Sequence, residues 1–246
     1  MIIFRYDKTF EGLLTCLFEA YSLKLFPETL LNETETLPLF YDRLIEIATD
    51  EMKSNRVWEG LRKKLSVSAL RELEICWLSE LPEIDTVLFR YMRKAIDSPQ
   101  CIEVNFGDAD VLYLSQVWKK VMHERLMLTQ FARFRKAADD TYLAVFEPIY
   151  NALPLAVAHF TDRFSDQRWI LYDLRRDYGF YYDLHTVQEI ILHGMPQEIP
   201  LHADEQQFQR LWKTYFKSIS IKERVNPRLH RQHMPVRFWK YLTEKQ

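Results

Sequence analysis

Two hydrophobic periods run through this chain, and the switches between them mark most of its elements. Residues 2–6 are short and apolar-rich, which predicts a strand closed by an Asp7-Lys8 turn. From 10 to 25 the period lengthens, placing Leu13, Leu14, Leu17, Phe18 and Tyr21 on one side of a helix that Pro27 ends. Residues 28–48 follow neither period and predict an irregular connection around Pro38 with short helical pieces. Three helices should follow: one over 49–65, one from a Ser66 cap through Trp77 and Leu81, and one opened by Pro82, Glu83 and Asp85. The last closes on Arg90, Arg93 and Lys94, an order of charge that suits the helix dipole.

Beyond residue 100 the pattern becomes mixed. A short strand is predicted over 101–105, then a long helix over 111–128 capped by Asp108, with Leu112, Val117, Val121 and Leu128 as buried candidates. Alternation over 130–135, an Asp139-Asp140 turn and residues 142–147 predict a hairpin. A helix over 151–164, with Pro154 in its first turn, leads to a second hairpin at 169–184 that turns at 176–179. Thr186 and Glu189 form a capping-box pattern ahead of a short helix at 190–193. Residues 194–203 read as a loop, and Asp204 opens a helix containing Leu211, Trp212, Tyr215 and Phe216. The expected fold is α+β: an antiparallel sheet of two hairpins flanking a helix, backed by helices, behind a largely helical N-terminal half. One domain over 1–246 is expected, with a helical subregion at about 7–100 and an α+β subregion at about 101–246.

Composition narrows the function classes. With 48% hydrophobic residues the chain can build a core. Its five glycines form no phosphate-cradling loop, so the common nucleotide-dependent chemistries are excluded and no cofactor is expected. Cys16, Cys76 and Cys101 are too few and too far apart for a disulfide framework, and Cys76, beside Trp77, is expected to be buried. With no signal-like N-terminus or apolar run of membrane length, a cytoplasmic location is expected and no membrane partner. His230 and His233 are three apart, but no HExxH or dense Cys/His cluster accompanies them, so no metal site is expected.

Charge changes the picture more. Residues 208–246 hold ten Lys/Arg against two Asp/Glu, while residues 1–207 hold 23 against 33. A basic C-terminal face that meets an anionic partner follows. Lys222, Arg224, Arg228, Arg231 and Arg237 are interleaved there with Trp212, Tyr215, Phe216, Phe238, Trp239 and Tyr241. Cations that hold phosphates and rings that stack on bases are what single-stranded nucleic acid requires. The helical spacing of Trp212, Phe216 and Trp239 favours core packing for those three rings.

A second candidate lies at 159–176. His159, Asp162 and Arg163 share the polar side of the helix at 151–164, while Asp173, Arg175 and Arg176 close the strand that follows. Such a set could be an acid/base site, with His159 and either Asp162 or Asp173 as candidate catalytic groups. It could equally be a phosphate clamp through Arg163, Arg175 and Arg176, or a set of structural ion pairs.

Several segments together resemble a known family. They are YDKTFEGLLTCLFEAY at 6–21, TDEMKSNRVWEGL at 49–61, HERLMLTQFARF at 123–134 and LPLAVAHFTDRF at 153–164. WILYDLRRDYGFYYD at 169–183 and LWKTYFKSISIKERVNPRLHRQHMPVRFWKYL at 211–242 complete the set. The pattern resembles a bacterial family of DNA metabolism or DNA repair proteins with a domain of unknown function. That resemblance implies DNA and a radical-SAM protein as partners. Some family members are fused to a uracil-DNA-glycosylase-like domain, which has no counterpart in this sequence. It carries over no catalytic residue, but it draws attention to Asn226, together with His159, Arg163, Asp173, Arg175, Arg224, Arg228 and Arg237, which lie in its signature segments. The leading expectation is a nucleic-acid-binding accessory protein in DNA repair or modification. Two alternatives stand beside it: an enzyme on a damaged or modified base, and a protein-docking scaffold that does not touch nucleic acid.

Overall fold

The computed structural model describes residues 1–192, 199–221 and 226–245. The chain divides into two compact units, 1–121 and 122–246.

In the first unit, strand β1 (Ile2–Tyr6) is the middle of a three-stranded sheet and buries Ile3, Phe4 and Tyr6. Its neighbours, β2 (Thr29–Asn32) and β3 (Arg43–Glu46), both run parallel to it. The region expected to be irregular with helical pieces therefore supplies two strands. Each has only four residues and pairs on one side, so no apolar alternation had room to develop. Helix α1 (Phe10–Leu23) starts where the Thr9 hydroxyl accepts from the Gly12 N–H at 2.9 Å. Asp7 fixes that cap by accepting from the Thr9 hydroxyl (2.7 Å) and the Thr49 hydroxyl (2.8 Å). Only glycine fits at position 12, since a Cβ there would lie 2.3 Å from Asp7 Oδ1.

Helices α2 (Glu51–Arg62) and α3 (Val67–Trp77) are capped by Asp50 and Ser66, and α4 (Ile84–Asp97) follows. The strand expected at 101–105 is a turn whose Glu103 carboxylate accepts from the Ser66 hydroxyl at 2.8 Å. Asp108 caps the long helix α5 (Ala109–Phe131), accepting from Asp110 N–H at 2.9 Å, as its position predicted. Arg90 and Lys94 on α4 meet Asp108 and Asp110 here, at 2.6–2.8 Å. Cys76 is fully buried and its thiol donates to the Leu114 carbonyl.

The second unit carries a five-stranded sheet in the order β4 (Arg135–Lys136), β5 (Tyr142–Phe146), β6 (Trp169–Asp173), β7 (Tyr178–Tyr182) and β8 (Val187–Ile190). Both expected hairpins are present with helix α6 (Leu153–Arg163) between them, so the fold is α+β. The sheet is mixed rather than antiparallel: β5 and β6 are parallel, because α6 returns the chain to the end of the sheet where β5 began. The capping-box pattern at Thr186 and Glu189 opens no helix over the described part of 190–193; Val187–Ile190 pairs with β7 instead. Asp183 accepts from the His185 and Thr186 N–H groups and bends the chain back, so the tight turn overrides the local helix signal. Residues 130–131 likewise extend α5, leaving β4 only two residues long.

Trp169 stacks on Tyr182 at 5.2 Å and packs against Phe160 of α6, forming the centre of this unit's core. Helices α7 (Glu205–Ile219) and α8 (Pro227–His233) and two short 3-10 turns, Val236–Tyr241 and Thr243–Lys245, complete it. Among the described residues no helix is long and apolar enough to cross a membrane.

Candidate nucleic-acid interface

Helix α7 places Phe208, Leu211, Trp212, Tyr215 and Ile219 along one side, the spacing of a buried face. That face is open: Phe208, Trp212 and Tyr215 are 59%, 40% and 54% exposed. They form one wall of a cleft of about 880 Å³ inside the second unit. Phe134, following α5, and Phe160 and Phe164, at the end of α6, also line it. Arg163 brings positive charge, Arg133 and Lys136 bring cations paired with Glu244 and Asp140, both at 2.6 Å, and Glu205 and Gln209 bring a carboxylate and an amide from the first turns of α7.

Two buried carboxylates hold this wall in place. Glu244, whose side chain is almost completely enclosed, accepts from Arg133 at 2.6 Å and from the Trp212 indole N–H at 2.8 Å. Burial alone would raise its pKa, but the Arg133 and Trp212 hydrogen bonds outweigh it and hold the carboxyl below the usual range. The Arg133 guanidinium also lies 5.6 Å from the Trp212 ring centre, so the indole is fixed from two sides. Glu205 is the second anchor, accepting from the Lys136 backbone N–H at 3.0 Å and from the Gln209 amide at 2.8 Å. Tyr215 lies 5.7 Å from Trp212, extending the ring surface. A neighbouring cavity of about 400 Å³ shares Arg133, Gln209 and Thr243 and adds Arg135, Glu147, Lys240 and Tyr241.

Of the sequence-predicted cations, Arg163 lines the cleft, is exposed, and has no ion pair among the described residues. Arg228 and Arg231 are exposed on α8 and likewise have no ion pair among the described residues. Arg175 is exposed but donates to the Ile149 carbonyl at 2.9 Å. Arg176 is drawn inward: it pairs with Asp173 at 2.8 Å and donates to the Pro148 and Ile149 carbonyls. Arg237 pairs with the buried Glu124, and Asn226 caps α8 by accepting from the Leu229 N–H. Arg176, Arg237 and Asn226 thus serve the architecture of the unit. Lys222 and Arg224 lie outside the described residues.

The acid/base set is not assembled. His159 is half-buried with its ring against Phe160, Asp162 is exposed, and His159 makes no hydrogen bond or ion pair with either aspartate among the described residues. Asp173 is fully buried and accepts from the Arg175 N–H (2.8 Å) and from Arg176. Its burial raises its pKa more than Arg176 lowers it. Among the described residues no group of three or more His, Cys, Asp or Glu could hold a metal ion.

Sequence spacing pointed to Trp212 and Tyr215 but favoured a core role for Trp212, which is instead a wall of the cleft. Arg133, Glu205 and Gln209 were missed as cleft residues. The one available signal was the apolar spacing of Phe208, Leu211, Trp212 and Tyr215 within a cation-rich C-terminal stretch.

No curated protein and no solved structure matches the chain. The family described as a domain of unknown function, DUF4130, matches residues 82–244, a span that begins just before α4 and includes every residue of the cleft. The chain belongs to the DUF4130 family.

Proposed function

We propose that this protein binds single-stranded nucleic acid through the second unit and acts as an accessory protein in DNA repair or modification. The observation that carries the reading is the cleft, where half-exposed Trp212 and Tyr215 share a lining with Arg163, an exposed cation with no ion pair among the described residues. Rings on an open wall accept stacked bases whatever their identity, and the Arg163 guanidinium at the rim holds a connecting phosphate. The radical-SAM partner implied by the family resemblance would supply the chemistry, while this chain holds the strand.

Fluorescence anisotropy with labelled single-stranded and duplex oligonucleotides at stepped salt tests the reading. Single strands should bind more tightly, with an affinity that falls as salt rises by a slope of about 0.7 per phosphate contacted. Binding that is absent at low salt, or indifferent to salt, would remove it. Co-purification with the radical-SAM protein tests the partnership separately.

A further inference from the structure

Glu205 presents an unusual economy. It is 6% exposed, lies beside an aromatic cleft, and has no ion pair among the described residues. A carboxylate so placed costs stability unless its hydrogen bonds compensate. Both oxygens are in use: Oε2 accepts the Lys136 backbone N–H and Oε1 accepts the Gln209 side-chain amide. The contact at 2.8 Å runs from the Gln209 side-chain nitrogen to Glu205 Oε1, and this fixes which way the amide points. Its nitrogen faces Glu205. Among the described residues its carbonyl oxygen and second N–H have no partner and remain for a ligand, at a residue that lines both the cleft and the neighbouring cavity.

We propose that Gln209, oriented by Glu205, hydrogen-bonds the Watson–Crick edge of an unpaired base stacked on the Trp212–Tyr215 surface. An acceptor and a donor side by side on one amide complement the adjacent donor and acceptor that each base exposes only when unpaired. Trp212 and Tyr215 supply stacking, which any planar ring satisfies; Gln209 adds the requirement for a hydrogen-bonding edge. The ligand class is thus an extruded or single-stranded nucleotide, and Gln209 with Glu205 is its specificity element. This rests on the nucleic-acid reading of the cleft and sharpens it.

The test compares two single-stranded probes of equal length and charge. One carries adenine at its central positions; the other carries 5-nitroindole, which stacks but has no Watson–Crick edge. The wild-type protein should prefer the adenine probe by about tenfold, the scale of one bidentate amide–base contact. Gln209→Leu, shown to be folded, should bind the two probes equally. Equal binding of both probes by the wild type, with the salt dependence intact, would overturn the edge contact and leave the nucleic-acid reading standing. Binding of neither probe would overturn both. Discrimination that survives in a folded Gln209→Leu protein would assign the edge contact to another residue and overturn this one.

Discussion

Helices α1 and α7 both carry a run of apolar residues and end in opposite environments. In α1 the apolar positions Leu13, Leu14, Leu17 and Ala20 are all buried, in a unit whose sheet is parallel. In α7 the equivalent positions stay half open and Glu205 is the buried residue. The difference lies in the anchors. A packed face holds α1. Polar contacts at its edges, Glu205 to Lys136 N–H and Glu244 to Trp212, hold α7, so its rings stay available. An amphipathic helix therefore marks either a core or a site, and the anchoring polar groups decide which.

Removing an anchor should have the largest effect. Arg133→Ala leaves the enclosed Glu244 carboxylate without its cation and should cost about 2–3 kcal/mol, read by thermal or urea denaturation. In the first unit the corresponding change is Asp85→Ala, which removes a buried acceptor of the Tyr6 hydroxyl (3.0 Å) and of Lys8 (2.8 Å). It should destabilise by a similar ~2–3 kcal/mol and leave oligonucleotide affinity of the folded fraction unchanged, whereas Arg133→Ala should lower both. Equal effects of the two changes on binding would erase the contrast between the units.

Tyr215→Ala comes next. The ring is half exposed, so stability should barely move, while single-strand affinity should fall by about 1–3 kcal/mol if one base stacks there. Arg163→Glu should weaken binding to all sequences alike and lower the salt slope by about 0.7, the share of one phosphate. Unchanged affinity in both variants would show that ligands bypass the cleft.

The smallest effect is one of pH. Glu244 in the second unit and Asp108 and Asp110 in the first all have folded pKa values below their ordinary ones. For Asp108 the main cause is the Lys94 hydrogen bond. For Asp110 burial opposes the shift, but Arg90 and Lys94 outweigh it. A depressed carboxylate contributes stability above its unfolded pKa, near 4, and loses that contribution as pH falls through the folded value. Melting temperature should accordingly be flat at neutral pH and drop below about pH 4. In Glu244→Gln the part of the drop due to the second unit should shrink.

How much of this was legible follows from which forces are local. Helix starts were readable because Asp50, Ser66 and Asp108 satisfy backbone N–H groups within three residues of themselves. The hairpins were readable because their strands alternate around tight turns at Asp140 and Asp177, both with positive φ. Strands β2, β3 and β8 were not, since four-residue strands draw on partners distant in sequence or on a turn that outcompetes a helix signal. The cleft was the least legible feature. Its anchors join Arg133 to Glu244 and Lys136 to Glu205, and no local period records a contact across 111 or 69 residues. The inward turn of Arg237 likewise depends on Glu124, 113 residues away, while Arg176 turns in to Asp173 only three residues away, so charge spacing overstated the exposed basic surface.

Photo-crosslinking with a single-stranded oligonucleotide carrying 5-iodouracil, followed by peptide mapping, tests the central claim most directly. The base should attach within residues 208–215, at Trp212 or Tyr215, and the yield should fall in Tyr215→Ala. Attachment confined to residues 1–121, or efficient attachment at low salt that spares α7, would contradict the account.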